Sequence, residues 1–119
     1  MLLVALSVAI FAQTLSGDAA RGKEFFGKKY MCYTCHGSDG HGGFGAILAG
    51  LKLTQNGFMA YVRRGGPGMP GVGGRMPAYT TKTIPDQDLA DIYAYVKTFP
   101  VPSPVGSIPL LEQILRQNQ

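Results

Sequence analysis

The chain has 119 residues, enough for one domain and short of the usual size for two. Only 15% of them are charged, against 17 Gly, 8 Pro and no Trp, which excludes a charged disordered tail and a coiled coil and leaves a loop-rich small domain with a thin core. The net charge of +4 comes from 11 basic and 7 acidic side chains with no basic run longer than two, so the dense basic stripe of a nucleic-acid binder is missing.

In chain order, the first stretch is MLLVALSVAIF, Met1 to Phe11, which is uncharged and ends near Gln13-Thr14. It falls short of the roughly 20 apolar residues that cross a bilayer and has the length of a signal-peptide core. A charged flank before it and a clean small-residue cleavage site before Ser16-Gly17 are both missing, and a start placed too far downstream would account for the first. The expectation is a leader over 1–16, with cleavage between Ala12 and Gly17; a short buried helix is the alternative.

Asp18 is placed to cap a helix running to about Lys29, with Phe25, Phe26 and Tyr30 on its apolar face and Lys28-Lys29 at its C-terminal end. Cys32-Tyr33-Thr34-Cys35-His36 follows, then a loop with six glycines, GSDGHGGFGAILAG over 37–50, which no regular element tolerates. Thr54 is placed to cap a second helix through Phe58, Met59, Tyr61 and Val62, stopped at Gly65-Gly66. Residues 65–84 read as irregular and contain Met-Pro twice, Met69-Pro70 and Met76-Pro77. A third helix begins near Pro85, with Asp86 and Asp88 at the positive end of its dipole and Leu89, Ile92, Tyr93 and Val96 at helical spacing; Pro100 ends it. A Pro-rich bridge leads to a short amphipathic piece, Leu110 to Leu115, expected to pack over the body. No stretch alternates with period two, so the fold class is all-α, three to four short helices around long glycine loops. The divisions are 1–16, 17–100 and 101–119.

Cys32-x-x-Cys35-His36 carries the chemistry. This spacing is the attachment signature of c-type haem: one helical turn sets two sulfurs where each can form a thioether to a vinyl group, and the adjacent imidazole is left to bind iron. Covalent attachment suits a chain too small to envelop the cofactor by packing alone, and the polypeptide by itself should leave a cavity beside His36. Three other readings stand beside it. A thioredoxin-type redox pair needs a βαβ setting; a zinc site needs a fourth strong ligand, for which His41 is poorly spaced; a plain disulfide leaves His36 without a role. If haem is bound, His36 takes one axial position. His41, five residues on, reads as a solvent-facing loop residue. The thioethers of Met69 and Met76 lie at least 33 residues downstream in flexible loops and suit Fe(II). Met76 is favoured because Pro77-Ala78-Tyr79 supplies an aromatic beside it, with Met69 as the alternative; either could instead be core filler.

The order of parts, Gly22 and Phe26 in a first helix, CYTCHG at 32–37, LAG at 48–50, VRRG at 62–65, MPAY at 76–79 and LADIYAYV at 89–96, resembles the class I cytochromes c, small monohaem electron carriers. The resemblance covers roughly residues 17–99. It implies one covalent haem c held by Cys32 and Cys35, axial ligation by His36 and Met76, and a first and last helix that cross near Gly22, Phe26, Ile92 and Tyr95. Many relatives have Pro where Ala46 stands; its carbonyl accepts a hydrogen bond from the proximal His, and that bond should persist here. The implied function is one-electron transfer by an exported, periplasmic protein, with membrane association as an alternative and no transmembrane span in the mature form. Its partners would be redox proteins, acidic ones if Lys23, Lys28, Lys29, Arg63, Arg64, Arg75 and Lys82 meet them, and it would act as a monomer or as a subunit of a complex. Alternatives are an electron-transfer subunit of a larger oxidoreductase, a haem peroxidase and a five-coordinate haem sensor.

Overall fold

The computed structural model describes residues 14–67, 75–104 and 107–118. The leader core Met1 to Phe11 and Met69 lie outside the described residues. Helix α1 (Ala19–Glu24) runs on into a π-helical turn, Phe25–Lys29, and is followed by α2 (Tyr33–His36), α3 (Gln55–Arg64), α4 (Asp86–Val96) and α5 (Pro109–Gln117). The all-α reading holds, and the described residues contain no strand beyond an isolated bridge between Gly66 and Met76.

The caps form where the side chains allow them. Asp18 accepts from the amides of Ala20 and Arg21, and Thr54 Oγ1 from that of Gly57. The π turn was not legible from periodicity. It closes with the Tyr30 amide donating to the Phe25 carbonyl at 2.9 Å. The extra residue lets Phe26 bury while the Tyr30 hydroxyl reaches Asp88 at 2.6 Å.

Helices α1 and α4 cross at Gly22, where a Cβ would lie 2.0 Å from the Asp91 carbonyl oxygen and 2.9 Å from Tyr95 Cβ. Phe26 stands edge-on to Tyr95 and Phe99, at 5.6 Å and 5.3 Å between ring centroids. Helix α3 leans on α4 through Phe58 and Tyr93, whose hydroxyl donates to the Leu53 carbonyl at 2.9 Å. The core is as thin as the composition implied: Phe26, Phe58, Val62, Ile84, Leu89, Ile92, Val96 and Phe99.

Asp91 is a buried acid that the sequence did not single out. Its carboxylate accepts from Arg21 at 2.8 Å and 3.1 Å, from the Asp18 amide at 2.7 Å and from Gln87 at 3.1 Å. Burial pushes this carboxyl up, but the bonds from Arg21, Asp18 and Gln87 outweigh it and leave it below the ordinary carboxylate value. Asp88 is also held low, where burial is opposed by Tyr30 and Lys29. A carboxyl with a lower pKa folded than unfolded adds stability above the unfolded value and loses it as the pH falls through the folded one. Denaturant midpoints should therefore drop on acidification below about pH 5, and the drop should be shallower in Asp91→Asn.

One expectation is corrected. None of the residues of α5 is buried, and Leu110, Leu111, Ile114 and Leu115 are exposed, so this helix does not pack over the body as expected. The connection from Pro100 is Pro-rich, and its described residues are exposed. Of the cations counted as partner-facing, Lys28 pairs with Glu24, Lys29 with Asp88 and Arg63 with Asp86. At the other end, contacts of the body reach back to Leu15, whose amide and carbonyl are both bonded by the Gln55 side chain at 2.8 Å.

Candidate functional site

Helix α2 is one turn long because Gly37 leaves it at φ 78°, so Cys32, Cys35 and His36 share a single turn. The glycine loop folds around that turn and returns hydrogen bonds to it: Gly42 N–H to the His36 carbonyl at 2.9 Å, and Gly45 N–H to the Cys35 carbonyl at 2.7 Å. His36 is buried, and its Nδ1 lies 2.8 Å from the Ala46 carbonyl. A carbonyl only accepts, so Nδ1 carries the proton and the lone pair is left on Nε2. The bond expected at Ala46 is present without the proline. Gly45 makes room for it, because a Cβ there would lie 2.9 Å from both Cε1 and Nδ1 of His36.

His36 borders a cavity that encloses, with its open mouth, about 840 Å³. Among the described residues, Cys32, Met76, Tyr61 and Tyr79 share the lining, and the rest is apolar: Phe26, Ala46, Ile47, Leu48, Leu51, Leu53, Phe58, Val62, Ile84, Leu89 and Ile92. The cavity thus holds one imidazole, one thiol and one thioether in hydrocarbon walls. Burial pushes the Cys32 thiol up to about 11. Cys35 is exposed and lies outside the lining, and both thiols are free. His41 also lies outside it, held at the surface by Asp39 at 3.0 Å and the Pro100 carbonyl at 3.1 Å.

Of the other readings of the Cys-x-x-Cys-His segment, zinc lacks a ligand set, since no group of three or more His, Cys, Asp or Glu gathers among the described residues. Among the described residues, the thioredoxin reading lacks its strand. The wall contributed by residues 47–53 was not assigned from the sequence; its signal was there in the apolar run Ile47, Leu48, Leu51 and Leu53 after the glycines.

Residues 17–96 match the family model described as cytochrome c oxidase, cbb3-type, subunit III. The chain belongs to this family. No curated protein and no solved structure matches it. As a member of the cbb3-type subunit III family it is a class I c-type cytochrome that binds haem c covalently and transfers electrons through it. The cavity fits that group: a large apolar cofactor needs these hydrocarbon walls, and an iron needs the nitrogen and sulfur donors set into them. Domains of this family are generally exported or membrane-associated. Among the described residues, no helix is long and apolar enough to cross a membrane.

Proposed function

We propose that this chain is an exported, periplasmic monohaem cytochrome in which Cys32 and Cys35 form the thioethers, His36 is the proximal ligand and Met76 the distal one. It passes single electrons between protein partners and acts as a carrier, with no residue serving as acid, base or nucleophile. The observation that carries this reading is that Met76, far along the chain from Cys32 and His36, meets them both on one apolar cavity. Haem bound there supplies the Fe(III)/Fe(II) couple.

The protein's own residues do the rest. The Ala46 carbonyl holds His36 in one tautomer and one ring orientation. The thioether of Met76 is soft and favours the reduced state, which raises the reduction potential. Phe58, Leu89 and Ile92 exclude water from the inner wall. At the mouth, Ile47 is 61% exposed and Leu53 42%, a small apolar rim for a partner to cover. Lys52 and Arg75 are neighbours in sequence of lining residues, so an acidic partner would be steered to that side.

A second reading makes the same domain an electron-transfer subunit of an oxidase. It is supported by the family's description and by α5, whose apolar residues the body leaves exposed. The peroxidase and five-coordinate sensor readings need an open distal position, which Met76 in the cavity lining argues against.

Spectra of the purified holoprotein test the ligand set. The wild type should be low-spin, with the near-infrared charge-transfer band of a thioether bound to ferric iron. Met76→Ala should lose that band completely and take on a lower potential, while Met69→Ala keeps both. Loss of the band in Met69→Ala alone would overturn the assignment of Met76.

A further inference from the structure

A flexible ligand is only as well placed as the backbone that carries it. Met has three rotatable side-chain bonds, so the position of its sulfur depends on how Met76 and its neighbours are fastened. The stretch Met76 to Tyr79 hangs from the end of α3. Met76 N–H donates to the Gly66 carbonyl at 3.1 Å, Gly66 N–H to the Met76 carbonyl at 3.2 Å, and Tyr79 N–H to the Val62 carbonyl at 3.1 Å. Gly65 ends α3 with φ 71° and approaches so closely that a Cβ would lie 2.6 Å from the Met76 carbonyl oxygen.

Arg63, in the last turn of α3, adds a side-chain fastening to the same stretch. One guanidinium nitrogen donates to the Tyr79 carbonyl at 3.0 Å, and the other donates to Asp86 in the first turn of α4. Its side chain is 23% exposed, whereas the adjacent Arg64 is exposed and lies against the Tyr61 ring. The planar fork therefore spans α3, the Met-bearing segment and α4 at once. A lysine would reach one of the two acceptors and not both.

We propose that Arg63 is a positioning residue for Met76: its fork fixes the Met76–Tyr79 segment against both helices and sets how readily the thioether gives up its place. The proposal rests on the assignment of Met76 above. The bond to Tyr79 joins a charged donor to a half-buried carbonyl, the stronger class of hydrogen bond, and no other side chain donates to that carbonyl among the described residues.

The test uses the holoprotein and its Arg63→Gln and Arg63→Lys variants, with two measurements. Amide hydrogen exchange reports the segment itself, and displacement of the charge-transfer band by added imidazole reports the ligand. In Arg63→Gln, the Met76 and Tyr79 amides should exchange about tenfold faster and imidazole should compete at about tenfold lower concentration, the factor that one charge-assisted hydrogen bond supplies. The Gly22 amide, bonded to Asp18 in α1, should keep its wild-type rate. Arg63→Lys should move both readings in the same direction. Wild-type behaviour of Arg63→Gln in both measurements overturns the proposal. So does equal acceleration at Gly22, which marks a merely global loss of stability, and so does full rescue by Arg63→Lys, which marks a role for charge alone. If the wild type lacks the band, or Met76→Ala keeps it, the ligand assignment fails instead; exchange at Tyr79 still reports whether Arg63 holds the segment.

Discussion

A chain in which Cys32 and Cys35 are both alanine will carry no covalent haem and will lose its cooperative fold. The core contains eight large buried side chains, and several of them, Phe26, Phe58, Val62, Ile84, Leu89 and Ile92, also face the cavity. Unfilled space costs about 24 cal/mol for each Å³. The part of the cavity closed off from solvent, about 210 Å³, would cost about 5 kcal/mol, the lower end of the roughly 5–15 kcal/mol that stabilises an ordinary domain. The thioethers proposed at Cys32 and Cys35 would keep the cofactor in place when the walls breathe, and without them its retention would depend on the proposed ligands His36 and Met76 and on apolar contact. The denatured protein's mass gives the covalent occupancy, and far-UV circular dichroism on heating gives the transition. A colourless double variant that melts sharply at the wild-type temperature would refute both the attachment sites and the cofactor's place in the core.

Gly22→Val will destabilise the holoprotein by about 3 kcal/mol or more. The added Cβ would fall 2.0 Å from the Asp91 carbonyl oxygen, a backbone atom that cannot rotate away, and 2.9 Å from Tyr95 Cβ. To admit it, α1 must leave α4, which stretches the bonds from Arg21 and the Asp18 amide to Asp91 and separates Phe26 from Tyr95. Gly27, five residues along, has nothing within 4 Å of the place a Cβ would take. Gly27→Ala should therefore be neutral or stabilising by up to about 1 kcal/mol, since it lowers the entropy of the unfolded chain. Guanidinium unfolding of the two variants measures the contrast, and similar midpoints would show that the crossing is not tight at Gly22.

The contrast between these two glycines shows how far a sequence can be read. Both sit in one helical stretch, and the ordered pattern of parts placed Gly22, Phe26, Ile92 and Tyr95 together at a crossing. The structure brings Gly22, Phe26 and Tyr95 to that crossing and buries Ile92 with Phe26 in the core beside the cavity. Local signals were also legible: Asp18 and Thr54 cap because the donors they satisfy lie two or three residues away. Asp91 was not legible, because its partners Asp18 and Arg21 are 73 and 70 residues distant. The same holds for Arg63, which reads as a surface cation until Tyr79 and Asp86 are brought to it. Helix α5 shows the reverse error. Its apolar stripe was legible, but amphipathicity says only that a face can be covered, not by what.

The sequence by itself determined the chemistry: two thiols and an imidazole within one helical turn, caps at short range, and a composition too rich in glycine and too poor in large side chains to fill its own centre. These depend on spacing and on residue type, which a string of letters contains. Only the tertiary structure decided that Met76 borders the cavity with His36 and Cys32, that Asp91 is buried and fully bonded, and that Lys28, Lys29 and Arg63 are tied to acids of the same chain. Most of those outcomes depend on which distant segments meet, and that is fixed by packing α1 against α4 around the cavity; Lys28, four residues from Glu24, needed only the rotamers.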